Sequence, residues 1–417
     1  MFQRFFKRSD ALARHRNGPL AEERSRYLSH CADQGMSRNT LRQIAEHLLV
    51  ITDALRLGER PGEMIAPSEI AAEATRRANR RRACSRGRRK HTGPDAFTTY
   101  ATHWLKYLGR WQPPPVSPRP YADQVAAFAD HMRSERGLSY ELVRRYCRVA
   151  QEILDRLCAS RRFEEVTPAQ VDEALVQKFQ GGGCARVTLR GDVSALRVFF
   201  RYAQTQGWCH NDLARGIHGP RVFSQESLPR GPSWVDVQRL LASVGDKTPK
   251  AIRDRAILLL LAVYGCRASE VVRLRLGDLD WERELIHFTR SKSSRTQTFP
   301  LTRTVGNAIL RYLQESRPRS SCREVFLRQN APLRPLACQS LWVIVAQRLR
   351  ALGVSLRHYG PHSLRHACAT HLLEEGFTLK QIGDQLGHRH PDSTRIYAKV
   401  DLDGLRRVAD FDIGDIL

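Results

Sequence analysis

Apolar side chains recur every three to four positions through four consecutive stretches in the middle of the chain, spanning roughly 122–136, 139–159, 167–180 and 186–206. This period is typical of amphipathic helices that bury one face. Ser139 and Thr167-Pro168 stand where helices begin, and Gly137 and Gly207 stand where helices end. The pattern predicts a compact module of four helices.

The first hundred residues repeat landmarks of this module. Gly35 and Ser37 match Gly137 and Ser139 at an offset of 102 residues, and apolar positions follow at nearly the same spacing. The shared order of helix starts and stops indicates a helical N-terminal region that duplicates the module. The alternative is that any two amphipathic helical bundles align this well.

Two breaks divide the chain. Prolines cluster between residues 112 and 120, where they fix the backbone and prevent helix and sheet. A second linker, rich in glycine and proline, spans 209–233 and leads to Trp234. The breaks predict an extra N-terminal helical region at 1–111, a proline-rich linker at 112–120, a middle domain at 121–222, and a C-terminal domain with a tail at 223–417.

The net charge of the chain indicates what kind of partner it binds. The formal net charge is +25, and only nine of the 68 basic residues are lysines. Such an excess suits a protein that neutralises phosphates, and the planar guanidinium of arginine suits bidentate phosphate contacts. The expected partner is nucleic acid. The alternative source of the arginines is the codon bias of a GC-rich genome.

Cysteine usage and the apolar runs bear on the compartment. The ten cysteines form no Cys-x-x-Cys pair and no metal-like cluster, which is typical of free thiols in a reducing compartment. The basic N-terminus lacks the apolar run of a signal peptide. The longest apolar stretch, 256–263, is too short to span a bilayer. We expect a cytoplasmic, nucleoid-associated protein with no membrane partner.

A strongly basic run spans residues 76–90 and contains no acidic residue. By the repeat it falls where the middle module has the connection between its third and fourth helices. Such runs are usually mobile arms or solvated helix ends, but in a DNA-handling chain they favour phosphate contact. The predicted DNA-binding residues are Arg76, Arg77, Arg80, Arg81, Arg82, Arg86, Arg88, Arg89 and Lys90.

Arg267 is the first candidate catalytic residue of the C-terminal domain. An apolar helix over 251–264 stops at Gly265, and a second helix then starts at Arg267, where free backbone N–H groups favour an anion. A helix-start ion pair with Glu270 is the alternative role. Lys292 lies in a polar turn between two predicted strands, where it is either a solvated charge or a mobile ammonium that reaches a phosphate.

Four more candidate polar residues follow, three on predicted helices and one in the loop after a helix. His362 and Arg365 share one face of a helix that begins at Pro361 and ends at Gly376, and His388 follows the helix stop at Gly387. A metal site through His362 and His366 lacks a third ligand at suitable spacing. Tyr397 lies on a last short helix over 391–400, where tyrosines usually serve packing.

Together these are the groups needed to hold a phosphodiester, attack it with a phenol and protonate its leaving group: Arg267, Lys292, His362, Arg365, His388 and Tyr397. Their motifs closely resemble those of the tyrosine recombinase (phage integrase) family. The matching pieces are Gly265-Cys-Arg267-Ala-Ser-Glu270, Lys292 in its hairpin, His362-Ser-Leu-Arg365-His, Leu386-Gly387-His388 and Tyr397. The resemblance covers about 121–400, and the N-terminal region departs from the pattern of common members.

The resemblance implies a mainly α fold. Residues 121–222 would form a SAM-like four-helix core-binding domain. Residues 223–417 would form a mostly helical α+β catalytic domain with a small antiparallel sheet and a C-terminal tail. The tail would pack on a neighbouring protomer, as such tails do in the resembled family, with packing on its own domain as the alternative. Its apolar side chains at helical spacing are Leu402, Leu405, Val408 and Phe411.

The resemblance also implies a mechanism. Tyr397 would attack the scissile phosphorus, giving a 3′-phosphotyrosine and a free 5′-hydroxyl without ATP. Since an unperturbed tyrosine has a pKa of about 10, it needs a proton acceptor, and His362 is the expected one. Arg267 and Arg365 would stabilise the charge of the transition state.

The remaining two residues complete the expected site. Lys292 would protonate the departing 5′-oxygen, and His388 would hydrogen-bond the phosphate. Because arginines meet the phosphate charge, neither a divalent metal nor any other cofactor is expected.

The expected function is site-specific DNA recombination by an integrase or transposase of a mobile element. The enzyme would act as a homo-tetramer on DNA or in an assembly with related recombinases. Two alternatives remain: a resolvase of replicon multimers, and a non-catalytic DNA-binding protein that kept the fold.

Overall fold

The computed structural model describes residues 1–84, 94–114, 119–158, 162–181, 184–210, 212–221, 231–290, 296–388 and 390–400. The chain divides into two compact units. One contains Met1–Pro114 together with Ser227–Leu417, and the other contains Pro115–Glu226. The described residues are mostly helical, as the sequence predicts, and they enclose three large hydrophobic cores.

The N-terminal module is a helical bundle with no strand in its described residues. After a 3-10 turn at Phe2–Arg4 come five helices, α1 (Ser9–Asn17), α2 (Ala21–Asp33), α3 (Arg38–Ala54), α4 (Pro67–Cys84) and α5 (Pro94–Tyr107). Ser37 begins α3 by accepting a hydrogen bond from the Thr40 backbone at 3.2 Å. The core is built around Leu28, Leu48 and Trp104, which are completely buried.

The basic run of the N-terminal module differs from its predicted position. Residues 76–84 lie in the last turns of α4, not in a connection between helices. The reason is local: alanine and arginine favour helix, and the run has no glycine before Gly87. The third large helix of this module is therefore longer than that of the middle module.

The middle module contains the four predicted helices and one short addition. They are α6 (Ala122–Ser134), α7 (Tyr140–Leu157), α8 (Pro168–Gln180), α9 (Arg186–Thr205) and α10 (Leu213–Gly216), with a 3-10 turn at Phe163–Glu165. Thr167 and Gln170 form a capping box at the start of α8, and Pro168 occupies its first turn. Phe128, Phe199 and Phe200 fill the core between the helices.

Backbone landmarks recur in the two helical modules. Leu20 and Tyr121, the residues before α2 and α6, both adopt left-handed conformations with φ of 52° and 57°. These are uncommon angles for residues other than glycine. Gly35 and Gly137 follow the same two helices with positive φ, and each lies two residues before a serine that begins the next helix.

The C-terminal domain combines helices with a small sheet. Its helices are α11 (Trp234–Ala242), α12 (Pro249–Val263), α13 (Ala268–Arg273), α14 (Arg303–Arg311), α15 (Cys338–Ala351), α16 (Pro361–Glu374), α17 (Leu379–Leu386) and α18 (Asp392–Arg395). Short 3-10 segments lie at Leu276–Asp278 and Ile396–Val400, and a π-helical turn at Tyr312–Ser316. Its strands are β1 (Leu279–Asp280), β2 (Leu285–Thr289) and β3 (Thr296–Pro300).

The sheet is antiparallel with the order β1-β2-β3. Ile286 and Phe299 face each other across β2 and β3, and both turn into the core. The core surrounds α12, whose apolar residues are buried on nearly every side, as its continuous apolar run predicts. No helix in the described ranges is long and apolar enough to cross a membrane.

The last element differs from the predicted single helix over 391–400. It is divided into α18 and the 3-10 segment Ile396–Val400. Helix ends commonly tighten in this way, because a 3-10 turn satisfies terminal backbone groups that an α-helix leaves free. Tyr397 therefore lies on the 3-10 segment.

Candidate active site

Helix α16 positions three of the polar side chains. Pro361 occupies its first turn, where the missing N–H is not needed. His362, Arg365 and His366 follow at spacings of three and four residues, so they share one face of the helix. Arg365 is 2% exposed and donates hydrogen bonds to the carbonyls of Gly265 and Leu386, each at 2.7 Å.

Arg267 approaches the same place from α13. Its backbone N–H and its side chain both donate to the carboxylate of Glu270, at 2.9 and 2.8 Å. Its second guanidinium nitrogen donates to the carbonyl of Gly387 at 3.4 Å. Arg365 contacts the preceding carbonyl, that of Leu386, so the two guanidinium groups meet at the C-terminal end of α17. That helix end carries a partial negative charge that favours cations.

The two arginines leave the pocket strongly positive. Burial, followed by the charge of Arg267, lowers the pKa of Arg365 to about 10, while Glu270 opposes the shift. Arg365 therefore keeps its proton at neutral pH. Two fixed cations with only one carboxylate between them favour an anionic group in the pocket.

Arg290 is a buried residue that links the elements around Arg267 and Arg365. It is 5% exposed and donates to Glu270 at 2.7 Å, to the side chain of Gln297 at 2.6 Å and to the carbonyl of Gln385 at 3.1 Å. It therefore joins the end of β2 to α13, β3 and α17. A sequence pattern that ends a strand with arginine gives no sign of this role.

Gly387 is required at the end of α17 for two reasons. Its φ of 63° is left-handed, and a side chain there would begin 2.5 Å from the guanidinium of Arg290. The turn presents His388, whose Nδ1 lies 2.7 Å from the hydroxyl of Thr394. Burial, followed by the charges of Arg365 and Arg267, lowers the pKa of His388 to about 4, so it is neutral at neutral pH.

Tyr397 is 2% exposed and packs in a small cluster with Ala369, Ile382 and Leu386. Burial raises the pKa of its phenol to about 12, although the charge of Arg365 opposes the shift. Its hydroxyl lies 2.9 Å from Nδ1 of His366.

The sequence pattern assigns His366 no role besides a metal site with His362 that lacks a third ligand. In the part of the chain that the structure describes, no group of three or more His, Cys, Asp or Glu side chains is arranged to hold a metal. The spacing of four residues from His362 was the one signal that both histidines face the same pocket.

His362 lies at the edge of the site. Its ring meets that of His366 edge-to-face, with centroids 5.0 Å apart. Its pKa is lowered by partial burial first, and then by the charges of Arg365 and Arg267. The hydrogen-bond partner that the structure describes for the Tyr397 hydroxyl is His366 and not His362.

Of the six predicted residues, the structure brings five together: Arg267, His362, Arg365, His388 and Tyr397. Lys292 falls within 291–295, outside the described residues. Thr289, in β2, pairs with Thr296, in β3.

The predicted DNA-binding run is described only in part. Arg76 pairs with Glu73 at 3.1 Å, and Arg77 lies over the ring of Phe97 at 5.7 Å. Both partners belong to the N-terminal module itself. The side chains of the other seven predicted residues lie outside the described part: Arg80, Arg81, Arg82, Arg86, Arg88, Arg89 and Lys90.

Comparison with known sequences identifies the family of the chain. The profile described as "Phage integrase family" matches residues 235–403, and the profile "Phage integrase, N-terminal SAM-like domain" matches 125–207. The putative integrase/recombinase y4rA of Sinorhizobium fredii is 39% identical over 299 residues, covering 70% of this chain and 71% of the relative. The chain belongs to the phage integrase family of tyrosine recombinases. It is a site-specific recombinase that cuts and rejoins DNA.

Other relatives and solved structures are similar over about two thirds of the chain. The tyrosine recombinase XerD of Listeria innocua is 30% identical over 286 residues, covering 67% of this chain and 94% of XerD. The Tn1549 transposon integrase in complex with transposon right end DNA matches with a TM-score of 0.54 and 18% identity. The match covers 69% of this chain and 98% of that structure. At this identity it shows a shared fold.

Proposed function

We propose that this recombinase cuts DNA with Tyr397 in the pocket formed by Arg267 and Arg365. The observation that carries the assignment is the contact of the two arginines with consecutive carbonyls, those of Leu386 and Gly387. Side chains 98 residues apart in sequence thereby face one anion-binding point. Among the described residues of the pocket, Tyr397 supplies the phenol.

The proposed reaction exchanges one phosphoester bond for another. The Tyr397 oxygen bonds to the scissile phosphorus, the bond from phosphorus to the 5′-oxygen breaks, and a 3′-phosphotyrosine remains. The reverse attack by a 5′-hydroxyl rejoins a strand. Because the covalent intermediate keeps the energy of the phosphodiester, the reaction needs no ATP.

Electrostatic stabilisation supports the arginines' assignment. Charge accumulates on the non-bridging oxygens in the transition state, and cations fixed before the reaction stabilise it without rearrangement. Arg365 is fixed by two backbone carbonyls and Arg267 by Glu270. The same fixation favours in-line placement of the phosphate.

The other groups complete the proposal. Lys292, on the hairpin between β2 and β3, protonates the departing 5′-oxygen, and neutral His388 hydrogen-bonds the phosphate. His362 at the edge of the pocket contacts the same phosphate or accepts the phenol proton.

For the biological role, we propose an integrase or transposase of a mobile element that acts on double-stranded DNA. Similarity to a putative integrase/recombinase supports this role, and so does the extra region before the matched domains. The enzyme would assemble as a homo-tetramer or with related recombinases. An enzyme that resolves replicon multimers would instead join identical sites on one replicon.

The N-terminal module is proposed to be a second copy of the middle module that contacts DNA. The support is the shared helix order and the left-handed residues at Leu20 and Tyr121. Both modules begin the third of their large helices with a proline, at Pro67 and Pro168. The basic run at the end of α4 would contact phosphates.

The test is to map covalent adducts. The purified protein is incubated with fragments of the DNA that flanks its gene, and protein-linked strands are isolated after denaturation. We expect the protein joined to the 3′ end of the broken strand and a free 5′-hydroxyl on the other fragment, at paired positions in two sites whose exchange moves a DNA segment. Breaks that carry no protein, or protein joined to the 5′ end, would contradict the proposed reaction.

A further inference from the structure

We propose that His366 accepts the proton of the Tyr397 phenol during DNA cleavage, while His362 serves the phosphate. The inference rests on the proposed function, in which Tyr397 is the nucleophile. It assigns a catalytic role to a side chain that the six-residue pattern leaves out.

The contact satisfies the geometry of a proton acceptor. Nδ1 of His366 lies 2.9 Å from the Tyr397 oxygen, within the range of about 2.6 to 3.2 Å for a general base and its substrate group. The two rings are inclined at 58° with centroids 5.7 Å apart. The same His366 ring also contacts that of His362, whose centroid is 5.0 Å away. His366 therefore connects the nucleophile to the edge of the pocket.

The protonation states allow the phenol to donate this hydrogen bond to the imidazole. Burial, followed by the charges of His362 and Arg365, lowers the pKa of His366 to about 4, so its ring is neutral at neutral pH. The buried phenol keeps its proton, since its pKa is about 12. In the tautomer whose proton is on Nε2, the Tyr397 hydroxyl donates and Nδ1 accepts, and the proposal assigns this tautomer to His366.

DNA itself would raise the basicity of His366. The charges that depress it face the phosphate site: Arg365 and the neighbouring ring of His362, with Arg267 beside them on α13. A bound phosphate neutralises part of that positive charge, which favours the protonated imidazole. His366 thus becomes a stronger base when substrate is present.

The proposed step balances. As the bond from the Tyr397 oxygen to phosphorus forms, the phenol proton moves to Nδ1 of His366, and the bond to the 5′-oxygen breaks. A separate acid, proposed as Lys292, gives a proton to that oxygen. The resulting imidazolium lies beside the phosphate, and it returns the proton to Tyr397 when the strand is rejoined.

The experiment compares three histidine variants in single-turnover cleavage. The substrate is the DNA site found by adduct mapping, nicked near the break so that the leaving strand dissociates and the covalent adduct accumulates. His366→Asn keeps an acceptor atom near the position of Nδ1 but no basic nitrogen. His362→Asn tests the neighbouring ring, and His371→Asn is the matched control on the same helix, where His371 stacks on Trp234 at 4.0 Å.

We expect His366→Asn to bind DNA as the wild type does and to form adduct about 100-fold to 10,000-fold more slowly. Its rate should rise roughly tenfold per pH unit through the alkaline range, because free hydroxide must now remove the proton. The wild type and His362→Asn should each keep a rate that is independent of pH near neutrality, with a lower rate in His362→Asn because it has lost a phosphate contact. His371→Asn should match the wild type.

The assignment is overturned if His366→Asn cleaves within about threefold of the wild-type rate, because loss of a general base costs far more. It is also overturned if the cleavage rate of His366→Asn stays independent of pH near neutrality, as in the wild type. If this variant does not fold, judged by its melting curve, His366→Gln takes its place with the same expectations. A steep pH profile in His362→Asn alone would assign the proton to His362 and overturn the proposal. Failure of the proposed function looks different, since no protein, including the wild type, would then form a Tyr397 adduct.

Discussion

Arg290 donates a hydrogen bond to the carboxylate of Glu270 at 2.7 Å in a position closed to solvent. The other carboxylate oxygen of Glu270 holds Arg267 at 2.8 Å. One buried acid therefore connects a scaffold arginine to an arginine that faces the proposed phosphate site. We infer that Arg290 is a positioning residue, which would act on the reaction only through Glu270.

The first prediction concerns this buried pair. Arg290→Met should lower the free energy of unfolding by about 3–5 kcal/mol, because it leaves a buried carboxylate with one partner fewer. Urea unfolding measures the change. The matched control is Arg311→Met, which breaks the exposed ion pairs with Glu315 and Asp246 and should change the free energy of unfolding far less. Equal losses in the two variants would contradict the structural role of Arg290.

The second prediction concerns the nucleophile. Tyr397→Phe removes only the hydroxyl, so the variant should bind DNA with the wild-type affinity and form no covalent adduct. Denaturing gels of labelled DNA report the adduct, and a binding titration reports the affinity. Adduct formation by Tyr397→Phe would assign the attack to another residue.

The third prediction is a loss of stability in mild acid. The pKa of His388 and of His366 is about 4 in the folded protein, below the ordinary value of 6.5. Between these values the unfolded chain binds more protons than the folded one, so stability falls as the pH decreases from about 7 to about 4. Above that window the two histidines contribute no pH dependence.

Urea unfolding at a series of pH values measures this dependence. His388→Asn removes one of the two groups, and its unfolding free energy should therefore vary less with pH than that of the wild type. His371→Asn serves again as the control. An unchanged slope in His388→Asn would show that the pocket does not depress the pKa of this histidine.

The fourth prediction concerns the basic run. A chain that lacks residues 76–90 should bind all DNA sequences more weakly, with a flatter dependence of affinity on salt. The reason is that phosphate contacts release counterions and carry no base identity. Titrations at several salt concentrations, with specific and unrelated duplexes, measure both effects. A loss confined to the specific duplex would instead assign base contacts to this run.

The fifth prediction concerns the tail, residues 401–417, which lies outside the described residues. If the tail packs on a neighbouring protomer, a chain without residues 403–417 should still bind a single site but lose synapsis and recombination. Gel-shift assays measure the binding, and recombination assays measure the exchange. Full recombination by the shortened chain would contradict coupling through the tail.

Much of the fold follows from local chemistry. Ser37 begins a helix because its hydroxyl satisfies a free backbone N–H, and Gly387 ends one because its φ is positive. The apolar period predicts the helices that bury one face, and the alternation of Leu285–Thr289 predicts a strand. These signals act within a few residues, so the order of residues alone carries them.

The sequence by itself also predicted which residues carry the chemistry, because few side-chain types can bind, attack and protonate a phosphodiester. Only the tertiary structure decided which of them touch. His366 contacts Tyr397 across 31 residues, and Arg290 contacts Glu270 across 20. Such contacts depend on how helices and strands pack and on which side chains this packing buries. No local pattern specifies either.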